Sequence, residues 1–165
     1  MLRFLVPIES ALGENRVAIT PETTKKFLAL GCKVALEKGA GQLAGFLDEH
    51  YAEVGADLIV QGDSEAWGRA DALLCVRPPE KSSLAKLRSG AVVVGLLEPY
   101  GNESLCESLK LGGLSAIALE LLPRISRAQS ADALSSQANV AGYKAVLIAA
   151  GALDRYFPML MTAAG

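Results

Sequence analysis

The sequence predicts an α/β fold: a doubly wound, mostly parallel sheet of the flavodoxin-like or Rossmann-like kind. Strand-like apolar runs alternate along the chain with helical patterns, which is typical of parallel strands joined by right-handed crossovers. Residues 72–76, ALLCV, form an uninterrupted apolar run, as expected for a strand covered on both faces. The length of 165 residues fits one domain with an ordinary hydrophobic core.

Six short runs are predicted to be strands because they are apolar or β-branched and end at turn residues. The run AVVVGLL at 91–97 is the most strand-like of them. In chain order the predicted strands are residues 3–8, 33–37, 57–60, 72–76, 91–97 and 115–119.

Helices are predicted between these strands, and capping residues mark their ends. Thr20 is placed to cap a helix whose first position is Pro21, and Gly31 closes that helix. Asn102 is placed to cap another. The predicted helices are residues 21–30, 48–54, 64–70, 82–87 and 103–111.

A longer helix is predicted near the end of the chain. Apolar residues recur there at three- and four-residue spacing, which indicates at least four turns with one broad apolar stripe. The residues are Val140, Tyr143, Val146, Leu147, Ala150 and Leu153.

Composition excludes several classes of function. The net charge is −2, and acidic and basic residues are mixed without a basic stripe, so no nucleic-acid partner is predicted. The N-terminus lacks the layout of a cleavable signal. Charged residues and Pro158 interrupt the most apolar region, residues 143–165. Its longest uncharged pieces are therefore too short to cross a bilayer.

Cysteine and histidine usage argues against metal or triad chemistry. Cys32, Cys75 and Cys106 are widely separated and odd in number, as expected of buried or half-buried thiols in a reducing compartment. His50 is the only histidine and has polar neighbours, so we predict a surface residue. No metal site is predicted.

Side chains suited to chemistry concentrate in residues 123–143, PRISRAQSADALSSQANVAGY. Helix capping is the alternative explanation for any single serine or aspartate here. Polar residues also follow three predicted strands, at 9–16, at 77–80 and after 119, and Glu98 adds another. Because parallel strands end at one edge of a sheet, we expect these residues to form a cleft.

The chain lacks its own glycine-rich dinucleotide fingerprint. Residues 39–41, GAG, follow a strand, but no third glycine or helix start completes GxGxxG, so a turn is predicted. GxxxxGK[ST] is also missing. A nucleotide can be contacted by this chain, but its phosphates are expected to be bound elsewhere.

Two stretches carry a resemblance to a known superfamily. ENRVAITPE at 14–22, together with LEKGAG at 36–41, resembles the opening of the alanine dehydrogenase and nicotinamide nucleotide transhydrogenase superfamily. RISRAQSADALSSQANVAGY at 124–143 resembles the transhydrogenase branch, specifically the NAD(H)-binding α subunit of the proton-translocating enzyme. The likeness covers essentially the whole chain in order.

The resemblance implies a role for each residue of this motif. Arg124, Asp132 and Ser135 would hydrogen-bond the carboxamide or nearby ribose of NAD(H). Gln129 would reach toward the nicotinamide of NADP(H), which another subunit supplies. Gln129 and Asp132 would act by positioning, without acid or base chemistry.

Two serines and one departure complete the motif. Ser126 and Ser130 would support the loop and contribute to cofactor binding. Ala131 stands where the family usually has methionine, which implies looser loop packing.

The resemblance also implies that residues 1–165 are the first domain of a two-domain subunit, with the Rossmann half that carries the fingerprint missing. Expected partners are that half, a second copy in a homodimer, and NADP(H)-binding and membrane subunits. The location would be cytoplasmic, peripheral to the membrane through those subunits. Alone, the domain should bind NADH weakly and associate through an apolar patch that includes part of 157–161.

The alanine dehydrogenase branch handles its substrate with a lysine and a histidine, and aligned by strand these positions are Arg77 and Glu98. That difference favours transhydrogenation, because direct hydride transfer needs no proton-handling group. An alanine dehydrogenase-like enzyme and a non-catalytic dimerisation or docking domain remain as alternatives. We further expect Arg77 to pair with Glu98. Arg16 is either a carboxylate anchor or, as we favour, a structural residue paired with Glu98 or Glu120.

Overall fold

The computed structural model describes residues 1–123, 125–155 and 157, and the chain divides into two compact units. The first unit is Met1–Leu121 and the second is Leu122–Gly165. Each unit is described by itself below.

The first unit is built on a six-stranded sheet in which every strand pairing is parallel. The strand order is β3-β2-β1-β4-β5-β6, so the direction of winding reverses between β1 and β4. This arrangement confirms the predicted doubly wound fold. The strands are β1 (Arg3–Val6), β2 (Lys33–Glu37), β3 (Asp57–Ile59), β4 (Ala72–Leu74), β5 (Val92–Gly95) and β6 (Ser115–Ala118).

Five α-helices connect the strands: α1 (Pro21–Ala29), α2 (Asp48–Glu53), α3 (Ser64–Arg69), α4 (Lys81–Leu84) and α5 (Glu103–Leu111). Capping fixes the starts of α1, α3 and α5, because a side chain satisfies an otherwise unpaired N–H group of the first turn. Thr20 Oγ1 accepts the Thr23 N–H at 3.2 Å, and Asn102 Oδ1 accepts the Leu105 N–H at 3.1 Å. Both capping predictions are confirmed.

Alternating strand residues form two hydrophobic cores, one on each face of the sheet. One core contains Leu5, Leu73 and Val93 of the strands, packed with residues of α3, α4 and α5. The other contains Val6, Leu36 and Leu74, packed with residues of α1 and α2. Because each fully buried aliphatic side chain contributes about 1.5–3 kcal/mol, these two layers hold the sheet in place.

The central strands are shorter than predicted. The sequence predicted strands at 72–76 and 91–97, whereas β4 and β5 end at Leu74 and Gly95. Backbone hydrogen bonds nevertheless continue past these ends, from Cys75 N–H to the Val94 carbonyl at 3.0 Å and from Leu96 N–H to the Val76 carbonyl at 3.1 Å. The extended pairing therefore continues as predicted, and only the assigned ends of the two strands differ.

The second unit contains a 3-10 helix, Ser126–Ala131, and the 20-residue helix α6, Ala133–Ala152. The predicted long helix is confirmed. No residue of α6 is buried, and Val140, Tyr143 and Val146 are 59–71% exposed. Among the helices of residues 1–123, 125–155 and 157, none combines the length and apolar character needed to span a bilayer.

We expect Gly95→Ala to destabilise the protein by about 1–3 kcal/mol, because the added methyl group overpacks the core. A Cβ at position 95 would lie 2.5 Å from the Cys75 carbonyl oxygen and 2.9 Å from its Sγ. Urea unfolding measures the change. The control is Gly68→Ala, where a Cβ has no neighbour closer than 3.7 Å. Equal stability of the two variants would contradict the prediction.

Candidate functional site

The polar residues that follow β1, β4 and β5 come together at one edge of the sheet, which confirms the predicted convergence for these three segments. The predicted polar cluster at 123–143 lies in the second unit. The carboxylate of Glu9 accepts the backbone N–H groups of Val76 at 2.6 Å and Arg77 at 3.0 Å. It therefore bridges the ends of β1 and β4, where the winding direction reverses. In doubly wound sheets this reversal point is the usual ligand-binding crevice.

Burial raises the pKa of Glu9 above its ordinary value. The N–H groups of Val76 and Arg77 oppose this rise by stabilising the carboxylate, while the charge of Glu14 adds to it and that of Arg16 opposes it. The charge on Glu9 is thus held by backbone dipoles within a partly dehydrated edge.

Arg77 forms the predicted ion pair with Glu98, with 2.5 Å between Arg77 Nη1 and Glu98 Oε1. The two side chains are 36% and 56% exposed. A pair this open to solvent contributes only ~0.2–1 kcal/mol to stability. Its main effect is geometric, because it joins the ends of β4 and β5.

Glu98 adopts the left-handed conformation, with φ 50° and ψ 48°. A non-glycine residue held there costs on the order of 1–3 kcal/mol, and such strain clusters at functional sites. Its backbone N–H donates to Oε1 of Glu120, which follows β6. The strand-end network thus runs from Glu9 through Arg77 and Glu98 to Glu120.

The predicted partner of Arg16 was wrong. Arg16 pairs with Glu14, at 2.6 Å between Nη2 and Oε2, where the sequence predicted Glu98 or Glu120. A second hydrogen bond, 2.7 Å from Arg16 Nε to Glu14 Oε1, makes the contact bidentate and lowers the pKa of Glu14. The local pair forms at little entropic cost, since only one residue separates its members.

Glu37, the last residue of β2, is a site residue that the sequence analysis missed. Its side chain is almost fully buried and accepts hydrogen bonds from the N–H groups of Ile8 at 2.9 Å, Gly62 at 2.8 Å and the Trp67 ring at 2.9 Å. The available signal was a glutamate at the end of an apolar strand. No sequence pattern identified its three donors, which come from distant segments.

A cavity of about 290 Å³ lies at this edge, between the segments that follow β1 and β4. Its lining is mostly polar and includes Glu9, Glu37, Cys75, Arg77 and Lys86. Lys86 Nζ is fixed above the Trp67 ring, 5.7 Å from its centroid.

The sequence-predicted cofactor residues lie in the second unit. Ser126, Gln129 and Ser130 are exposed on the 3-10 helix, and Ser135 is exposed in the first turn of α6. Asp132, at the N-terminus of α6, is half-buried. Arg124 lies outside the described residues.

Asp132 and Ser135 are brought into direct contact by helix capping. Asp132 Oδ1 accepts the Ser135 N–H at 2.9 Å, and Oδ2 accepts the Ser135 hydroxyl at 2.6 Å. Asp132 therefore caps α6, as the capping alternative predicted. A carboxylate offers about four lone-pair sites, so the two capping bonds use only part of the acceptor capacity of Asp132.

His50 is exposed, as predicted, and its Nδ1 accepts the Leu47 N–H at 3.1 Å. The only histidine of the sequence thus helps to start α2. It is not among the residues of the polar edge network described above.

The strand order β3-β2-β1-β4-β5-β6, with a polar crevice at its reversal point, defines a Rossmann-like domain of the kind found in nucleotide-dependent oxidoreductases. More specifically, the chain belongs to the family described as "Alanine dehydrogenase/PNT, N-terminal domain", whose model matches residues 5–141.

Within this family the chain is similar to transhydrogenases. It is 41% identical over 159 residues to NAD(P) transhydrogenase subunit alpha of Cereibacter sphaeroides, covering 96% of this chain and 30% of that protein. The crystal structure of the transhydrogenase from Sinorhizobium meliloti matches with a TM-score of 0.89 and 44% identity, over 99% of this chain and 48% of that one. The chain thus spans less than half the length of these relatives.

Alanine dehydrogenases are more distant relatives. The alanine dehydrogenase of Bacillus subtilis is 32% identical over 150 residues, covering 91% of this chain and 38% of that protein. The predicted resemblance to the transhydrogenase α subunit is thereby confirmed.

We expect Cys75 to resist alkylation in the folded protein although it lines the cavity. Burial, reinforced by the negative charge of Glu9, raises its pKa to about 12, which lowers the thiolate fraction at pH 8 roughly a thousandfold. Cys106 is the internal control, because it is exposed, contrary to the predicted burial of all three thiols. Peptide mass spectrometry after iodoacetamide treatment should show Cys106 modified and Cys75 modified only after unfolding. Equal labelling of the two in the folded state would contradict this.

The strain at Glu98 is measured by comparing Glu98→Gly with Glu98→Ala, since both lose the pair with Arg77. Because glycine adopts positive φ without a Cβ clash, the glycine variant should be more stable by about 1 kcal/mol. At Glu103, in the first turn of α5, the same two substitutions should show the opposite order. Chemical denaturation measures all four. The same order at both positions would contradict a strained Glu98.

Proposed function

We propose that this chain is the NAD(H)-side first domain of the α subunit of a proton-translocating NAD(P) transhydrogenase. The complete enzyme would pass hydride directly from NADH to NADP+, coupled to proton translocation by membrane partners. The observation that carries the proposal is the Arg77–Glu98 pair at the strand ends. Direct transfer between two nicotinamides needs no proton-handling group, and an arginine engaged with a carboxylate does not provide one.

The segment that includes Gln129 and Asp132 would position the reacting rings. Arg124, Asp132 and Ser135 would hydrogen-bond the carboxamide or ribose of NAD(H), and Gln129 would reach the nicotinamide of NADP(H). The donor set fits: a carboxylate accepts the N–H of a carboxamide, while guanidinium and hydroxyl groups donate to its oxygen. Exposure of Gln129 is consistent with a contact to a second subunit. Ser126 and Ser130 would support the loop.

The same proposal assigns partners. Residues 1–165 would be the N-terminal domain of a two-domain NAD(H)-binding subunit, in line with a chain that spans 30% of the Cereibacter sphaeroides relative. The subunit would form a homodimer and join NADP(H)-binding and membrane subunits, with this domain on the cytoplasmic side and peripheral to the membrane. Part of 157–161 would contribute an apolar contact. Phe157 is 47% exposed, and the other four residues lie outside the described chain.

Two other functions have specific support. The 32% identity to the Bacillus subtilis alanine dehydrogenase favours an oxidoreductase acting on an amino acid. Pyruvate- and ammonia-dependent oxidation of NADH by the complete subunit would favour that enzyme. The exposed apolar residues of α6 favour a non-catalytic dimerisation or docking domain.

The decisive variant is Gln129→Asn in the complete subunit, reconstituted with its NADP(H)-binding partner. We expect the hydride-transfer rate to fall by about a hundredfold or more, because shortening the side chain misplaces the reacting groups. The dissociation constant for NADH should change little, the pattern of a group that acts on the reacting state. Stopped-flow absorbance measures the rate, and fluorescence titration measures binding.

Gln42→Asn is the matched control, because Gln42 is also an exposed glutamine on a 3-10 helix. It should leave both quantities unchanged. An unchanged transfer rate in Gln129→Asn, accompanied by weaker assembly of the subunits, would instead support the docking function.

A further inference from the structure

Glu98 is held in its left-handed conformation at three separate points. Its side chain pairs with Arg77 at 2.5 Å, its N–H donates to Glu120 Oε1, and its carbonyl accepts the Gly101 N–H at 3.1 Å. Among the non-glycine residues of the described ranges, it alone has a positive φ. A strained residue persists only where its surroundings fix it, so these three contacts act together.

The support at Arg77 is itself anchored. The Arg77 N–H donates to the carboxylate of Glu9 at 3.0 Å, which ties the arginine to the loop after β1. Glu98 is thereby connected through Arg77 to the centre of the sheet, and through Glu120 to its edge strand.

Glu120 is not explained by stability. Its Oε1 holds the Glu98 N–H, but its Oε2 is buried and accepts no hydrogen bond within the part of the chain that the structure describes. A buried carboxylate oxygen without a donor loses its hydration without compensation, which offsets the gain from the bond that is made. An unsatisfied buried polar group in a folded protein calls for an explanation other than stability, and a functional role is one such explanation.

The place of Glu120 in the chain suggests what that function is. It belongs to the 3-10 helix Leu119–Leu121, directly before Leu122, where the second unit begins. Whatever fixes Glu120 therefore restricts the backbone from which the segment with Gln129 and Asp132 departs.

We propose that Glu120 is a positioning residue for hydride transfer. By binding the left-handed Glu98, it limits motion at the base of residues 122–132 and so keeps Gln129 and Asp132 aligned with the reacting rings. This inference rests on the function proposed above. Glu120 touches neither nicotinamide in this account and acts only through the backbone that follows it.

The test uses Glu120→Ala in the complete subunit with its NADP(H)-binding partner. The transfer rate should fall about tenfold, while NADH affinity stays within about threefold, because alignment and not binding is lost. Glu120→Gln keeps a carbonyl oxygen for the Glu98 N–H and should retain most of the rate. A Gln variant as slow as the Ala variant, or an Ala variant at the parent rate, would overturn the inference.

Asp71→Ala is the matched control. Like Glu120, Asp71 accepts a backbone N–H from a distant segment, that of Arg3 at 2.7 Å, but it precedes β4 and so lies at the amino ends of the strands; it also pairs with Arg88. It should lower stability without a selective loss of transfer rate. An equal loss in both variants would show that Glu120 is merely structural.

Hydrogen–deuterium exchange separates this inference from the proposed function. In the same subunit, Glu120→Ala should accelerate exchange across residues 122–135, and Asp71→Ala should not. If the parent subunit transfers no hydride, the proposed function fails on its own. If exchange across 122–135 is unchanged in Glu120→Ala, Glu120 does not limit motion there, and the inference is overturned whatever the activity.

Discussion

At the edge formed by the carboxyl ends of the strands, carboxylates accept hydrogen bonds from backbone N–H groups that strand pairing leaves unpaired. Glu9 accepts from Val76 and Arg77, Glu37 accepts from Ile8 and Gly62, and Glu120 accepts from Glu98. An unpaired N–H group in a partly buried edge costs free energy comparable to a lost hydrogen bond. The loops that form the crevice are therefore fixed by the protein's own acids, and the rest of the edge depends on them.

The two units differ in the polar groups that they expose to a ligand. At the edge of the first unit most of the polar groups described above are paired with one another, and Arg77 and the strained Glu98 form an ion pair there. The second unit presents exposed amide and hydroxyl groups on a short 3-10 helix and a helix cap. In the function proposed above, residues that hold a ring in place would need to be accessible to it, and Gln129 and Ser130 are exposed.

Much of the fold was predictable because local signals coincide with it. The bounds of β2 and α5 match the sequence prediction residue for residue, since turn or capping residues flank both. The Arg77–Glu98 pair was predictable because the family resemblance, aligned by strand, places both residues where the alanine dehydrogenase branch has its lysine and histidine. Glu37 and Glu120 were not, because their hydrogen-bond donors are backbone groups of distant segments. Arg16 was assigned a wrong partner because an acid two residues away competes at almost no entropic cost.

The position of Glu37 limits how this domain could acquire new binding properties. In dinucleotide-binding Rossmann domains, an acid about 20 residues beyond the glycine-rich turn recognises the ribose hydroxyls. Glu37 closes β2, but both of its oxygens are already engaged by Ile8, Gly62 and Trp67. Introducing a glycine-rich turn after β1 would therefore leave sugar recognition unsolved. Redesigning this sheet as an autonomous nucleotide carrier would first require new hydrogen-bond acceptors for those three donors.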